Sequence, residues 1–125
     1  NEAIEGGELA RSTRVHGWES VKACLDATAA GYRTVVMPGQ YFYFDMRQSL
    51  HEDGHDWAAI FDVRKTYSFD FARCGFTPAQ EANVLGVEGA FFSELYVSHN
   101  PDIPDYLDVC GCTTIAWGRR AFTSA

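Results

Sequence analysis

The chain has 125 residues, of which 46% are hydrophobic and 22% charged, which is enough apolar material for one globular domain with a modest core. Seventeen acidic residues against ten basic ones give a net charge of −7, with no cluster of Lys or Arg, so nucleic acid and anionic membranes are poor candidate partners. No apolar run approaches the ~20 residues of a membrane span, and no signal peptide begins the chain.

Residues 1–12 are polar and carry Gly6-Gly7, so a loop is expected there, and Asn1-Glu2-Ala3-Ile4, without a Met, reads like the middle of a longer protein. Thr13–Trp18 is a short strand candidate. A helix follows, with Val21, Cys24, Leu25 and Thr28/Ala29 at helical spacing and Gly31 at its C-terminal end. Tyr32-Arg33 lead into Thr34-Val35-Val36-Met37, β-branched and apolar without alternation, as in a strand of a parallel sheet covered on both faces. Strand, helix, strand makes a βαβ unit.

Pro38-Gly39 end that strand, and an aromatic loop runs to Tyr43 and Asp45. An abrupt stop followed by polar and aromatic groups suits a site at the C-terminal edge of an α/β sheet. The plainer reading is a turn whose aromatics plug the core.

His51-Glu52-Asp53-Gly54-His55 formally matches H-E-x-x-H. Zinc chemistry needs both His on one helical face, and Asp-Gly in the middle is a poor helix. A solvated loop is expected, and no metal site. Cys110-Gly-Cys112 lacks the spacing of a zinc knuckle as well. Cys24 reads as a buried free thiol; Cys74, Cys110 and Cys112 leave the redox compartment open.

Trp57–Val63 reads as a short amphipathic helix running towards Tyr67. Thr77-Pro78-Ala79-Gln80 carries an N-cap, a Pro at N1 and a capping-box Gln. Val84–Phe92 is the next strand, ending on Phe92 and nearby Glu94, and Asp102–Tyr106 starts a further helix. Three strands thus end alike, on Trp18, on Tyr43/Asp45 and on Phe92/Glu94. Such repetition at one sheet edge is the pattern of a (β/α) barrel's active face.

Several blocks together resemble the family 20 glycoside hydrolases, the β-N-acetylhexosaminidases. They are Val36-Met37-Pro38 with Tyr43-Phe44-Asp45, then Tyr67-Ser68-Phe69-Asp70, then Leu85-Gly86-Val87-Glu88-Gly89 with Ser93-Glu94. The resemblance runs to about Leu107, and Ile115-Ala116-Trp117 is similar to the family's closing helix.

It implies an α/β fold, a partial TIM (β/α)₈ barrel with the last three βα units and parallel strands. Residues 1–125 would be a single C-terminal portion of the catalytic barrel, with the tail 109–125 departing from the family. The reaction would be substrate-assisted hydrolysis of terminal N-acetylhexosamine residues, the substrate's acetamido oxygen attacking the anomeric carbon. Tyr43 would orient that acetamido group. Trp18 would wall the pocket around its methyl, and Asp45 and Glu94 would take the sugar's outer hydroxyls. Phe92 stands where the family has a stacking Trp, keeping an aromatic face without the indole N–H.

The family's Asp-Glu pair, whose Glu is the general acid, is absent from these 125 residues. The chain alone is therefore expected to be inactive. Expected partners are an N-acetylhexosamine-containing glycan and either the preceding part of the barrel or a second copy of the chain; no nucleic acid, membrane or cofactor is expected. Family habit points to a periplasmic, secreted or lysosome-like setting. Two other readings stand beside this one: a carbohydrate-binding module that lost catalysis, and a different hydrolase using Asp45 and Glu94 as its carboxylate pair.

Overall fold

The computed structural model describes residues 2–7, 9–51, 54–90 and 92. In chain order the elements are α1 (Glu2–Glu5), β1 (Arg14–Gly17), α2 (Val21–Ala29), β2 (Arg33–Val36), α3 (Gly39–Phe42), α4 (Val63–Tyr67), α5 (Pro78–Glu81) and β3 (Val84–Val87). They fall into two compact units, Asn1–Gly39 with Phe69–Glu88, and Gln40–Ser68 with the chain from Gly89. No helix among the described residues is long and apolar enough to cross a membrane.

The first unit is a parallel sheet of order β1-β2-β3, as the strand pattern predicts. Ser20 stands as the N-cap of α2, and the Ser20 Oγ accepts a hydrogen bond from the Ala23 amide at 3.1 Å. Gly31, at φ +84°, turns the chain out of the helix, a conformation that costs other residues a Cβ clash.

The buried stripe of α2 is Ala23, Cys24, Ala27 and Thr28; Cys24 and Thr28 belong to the expected set, whereas Val21, Leu25 and Ala29 are less covered and Ala23 and Ala27 take their place. Small residues are needed there because the helix lies close on the sheet. A Cβ built on Gly17 would come within 2.5 Å of the Cys24 sulfur. Gly17 is in register with Val36, so α2 covers the face that carries Val36. His16 and Val35 are in register on the opposite face, where the His16 imidazole lies 3.5 Å from Glu88.

The capping box at Thr77 is present in full: the Thr77 Oγ1 accepts from the Gln80 amide, and the Gln80 Oε1 accepts from the Thr77 amide. Two side chains then tie this end of the unit to α2. Gln80 Nε2 donates to the Leu25 carbonyl at 3.1 Å, and Asn83 Nδ2 donates to the Thr28 carbonyl at 3.0 Å.

Four expectations change. Residues 2–5 form one helical turn, closed by the Gly7 amide on the Ile4 carbonyl. The segment after Pro38 opens with the helical turn α3 before it becomes irregular. Residues 57–62 are not helical; α4 begins after them because Asp62 is its N-cap, accepting from the Arg64 amide at 3.0 Å. The strand expected over Val84–Phe92 is only β3, four residues long. Its register shifts opposite Thr34/Val35, which puts Gly86 beside Val35 and Val87 beside Val36. Val87 therefore shares the face of Val36. The expected helix from Asp102 and the tail 109–125 lie outside the described residues.

Candidate active site

Trp18 belongs to the first unit. Pairing of β1 with β2 continues past both strands, since the Met37 amide donates to the Gly17 carbonyl at 3.1 Å and the Gly39 amide to the Trp18 carbonyl at 2.7 Å. Gly17 and Trp18 are thus each held by one backbone bond from the segment that ends β2, while the Trp18 indole is exposed.

The other described candidates belong to the second unit. Here Phe42–Phe44 runs parallel to the chain around Ala90. The Ala90 amide donates to the Phe42 carbonyl at 2.9 Å, the Phe44 amide donates to the Ala90 carbonyl at 2.8 Å, and Tyr43 and Ala90 form a parallel bridge. Such pairing requires close approach, and Gly89 permits it: the Phe44 ring occupies the space a Cβ would take.

Tyr43 and Asp45 are both buried, 6% and 2% exposed. A carboxylate this covered is there for hydrogen bonding or for a ligand, since burying charge is costly. The Tyr43 ring is met edge-on by two other aromatics. Phe92 lies 5.4 Å away, centroid to centroid, at 70°, and Trp57 lies 5.3 Å away at 80°. Trp57 is 50% exposed and Phe92 44% exposed, so the two aromatic residues beside the buried Tyr43 are open to solvent. A buried tyrosine and carboxylate bordered by solvent-exposed aromatic residues can bind a polar molecule that has apolar faces, as a sugar does.

The structure brings together Tyr43, Asp45 and Phe92 within one unit; Glu94 lies outside the described residues. Trp57 joins them unforeseen by the sequence reading, which placed it on a helix. The available signal was its position directly after the turn-forming Gly54-His55-Asp56.

His51 is an exposed turn residue and His55 bridges Met46, so neither stands on a helix; Glu52 and Asp53 lie outside the described residues. No group of His, Cys, Asp or Glu among the described residues could hold a metal ion. Cys110 and Cys112 lie outside the described residues. Cys24 is a buried free thiol, as expected, donating to the Gly17 carbonyl at 3.0 Å. Burial pushes its pKa up to about 12, because the anion would be stranded without water.

The family model of the glycosyl hydrolase family 20 catalytic domain matches residues 1–117. A β-hexosaminidase from Vibrio furnissii is 27% identical over 118 residues, covering 92% of this chain and 19% of that protein. The crystal structure of an exo-β-N-acetylglucosaminidase from Vibrio harveyi, in complex with N-acetylglucosamine, superposes with a TM-score of 0.69 at 28% identity, over 93% of this chain and 18% of that one. The β-N-acetylhexosaminidase of Streptomyces coelicolor A3(2) shares the fold with a TM-score of 0.65 at 23% identity, over 93% of this chain and 25% of that one. The chain thus spans about a fifth of the length of the curated relative it matches.

Proposed function

The chain belongs to glycosyl hydrolase family 20, and we propose that it is the sugar-binding closing part of a β-N-acetylhexosaminidase barrel. On this reading β1, β2 and β3 are the last strands of a (β/α)₈ barrel. A preceding portion supplies the earlier strands and the proton-donating Glu that residues 1–125 lack.

The observation that carries the reading is Tyr43, buried between Phe92 and Trp57 and two residues from the buried Asp45. In this role the Tyr43 hydroxyl donates to the acetamido oxygen of the sugar in the −1 position and holds it against the anomeric carbon. The acetamido oxygen then displaces the leaving group, forming an oxazolinium-type intermediate that water opens. A rigid phenol suits the task, because the gain from a neighbouring-group attack depends on near-attack geometry. Two edge-on rings hold the phenol in place, and displacing them costs packing on two sides.

Asp45 accepts from an outer hydroxyl of the same sugar, and its burial strengthens that bond by excluding water. Phe92 offers the sugar ring an aromatic face. By the family resemblance alone, Trp18 is assigned an apolar contact with an acetamido methyl and Glu94 a hydroxyl contact.

Calorimetry on the intact protein tests the assignment. N-acetylglucosamine should bind and glucose should not, with the preference lost in Tyr43→Phe. Equal binding of the two sugars would remove Tyr43 from the acetamido group and leave only a general sugar-binding surface.

A further inference from the structure

Residues 45–47 and 54–57 form a small frame beside Tyr43. Met46 and His55 make a parallel bridge. The Arg47 amide donates to the His55 carbonyl at 2.8 Å, and the His55 amide donates to the Asp45 carbonyl at 3.3 Å. Gly54 passes so near that a Cβ would stand 3.0 Å from the Cβ of Arg47 and 3.1 Å from its amide nitrogen. Across this frame the Arg47 Nη2 donates to the Asp56 Oδ2. The Arg47 side chain is largely covered, while Asp56 is about half exposed.

Asp56 immediately precedes Trp57, the ring that meets Tyr43 edge-on. The frame therefore links the backbone of Asp45 on one side to the indole beside Tyr43 on the other. We propose that the Arg47–Asp56 pair is a positioning clamp, which sets Trp57 against Tyr43 and so orients the phenol for the reaction. The proposal rests on the role given to Tyr43 above. Neither Arg47 nor Asp56 touches the sugar; both act through Trp57.

Magnitudes separate this role from plain stabilisation. A half-exposed ion pair adds little to global stability, whereas a catalytic group displaced by ~1 Å can lose ~10²-fold in rate. Breaking the clamp should therefore cost activity out of proportion to stability.

The test uses the intact protein and a chromogenic aryl N-acetyl-β-glucosaminide, with Asp56→Ala, Trp57→Phe and the double variant. Asp56→Ala should lower kcat about tenfold with KM changed by less than about twofold. Its thermal midpoint should move by no more than about 4 °C. The double variant should be no slower than Trp57→Phe alone, because Asp56 acts through that ring, and Asp56→Asn should recover part of the loss. An Asp56→Ala enzyme of unchanged kcat, or losses that add in the double variant, would overturn the clamp.

If the unsubstituted protein turns over no such substrate, the reading of Tyr43 as a catalytic group fails, and the clamp is read from near-ultraviolet circular dichroism instead. Asp56→Ala should then weaken the same aromatic band that Trp57→Phe removes, and a spectrum left unchanged would overturn it.

Discussion

Gly89 and Phe44 occupy each other's space: a Cβ on Gly89 would lie 2.4 Å from the Phe44 Cε2 atom and 2.9 Å from its Cζ. Phe44 stands between Tyr43 and Asp45 and is itself buried, so its ring has little room to yield. Gly89→Ala should destabilise the protein by about 1–3 kcal/mol, the usual cost of overpacking a filled core. It should also weaken sugar binding, since the displaced ring moves its two neighbours. Phe44→Leu in the Gly89→Ala background should restore part of both. Urea denaturation and calorimetry check this, and an alanine variant as stable as the parent would show that the ring is freer than its burial implies.

A second prediction concerns pH. The Cys24 thiol titrates at about 12 in the folded chain because it is buried against Gly17, whereas an unfolded thiol titrates near ~8.5. The folded state therefore holds this proton more tightly. Its stabilising contribution is whole below about pH 8.5 and is lost as the pH rises towards 12, at about 1.4 kcal/mol per pH unit for one proton. Denaturation midpoints measured from pH 8 to pH 10 should fall more steeply for the parent than for Cys24→Ala. Parallel slopes would mean that the thiol is hydrated in solution.

Some of this was legible in the sequence, and the divide follows the range of the interactions. Thr77, Pro78 and Gln80 specify a helix start within four residues, and the capping box formed as read. The β1-α2-β2 unit was equally clear, because apolar periodicity and Gly31 are local signals. The position of Trp57 was not. The run Trp57–Val63 has helical periodicity, yet its partners are distant in sequence: Trp57 meets Tyr43, and the Phe61 amide donates to the Arg47 carbonyl at 3.3 Å. Those contacts hold the segment out of a helix and leave Asp62 to start α4. The register shift of β3 was equally hidden, since it lies in the pairing with β2 and not in the strand's own composition. Of the site, Tyr43 and Asp45 were visible as a polar pair after a buried strand, whereas the aromatic walls needed the fold.

Expressed alone, the 125-residue chain should associate with itself. Among the described residues β1 and β3 are edge strands, and Leu85 on β3 is 40% exposed. Unpaired edges beside exposed aliphatic side chains invite strand pairing between copies. Sedimentation should show oligomers or aggregates, and the same preparation should release no aglycone from an aryl N-acetylglucosaminide, for want of the proton donor. A monomer with a sharp thermal transition would instead support the binding-module reading. Turnover abolished by Glu94→Gln would support a carboxylate pair within the chain.

The role of Tyr43 is tested most directly by the rate of the intact protein on a chromogenic aryl N-acetyl-β-glucosaminide with and without Tyr43→Phe. The substitution removes one hydroxyl and leaves both ring contacts in place. If the hydroxyl holds the acetamido oxygen in its attacking position, kcat should fall by about 10²-fold. A Tyr43→Phe protein that hydrolyses this substrate as fast as the parent would contradict the account.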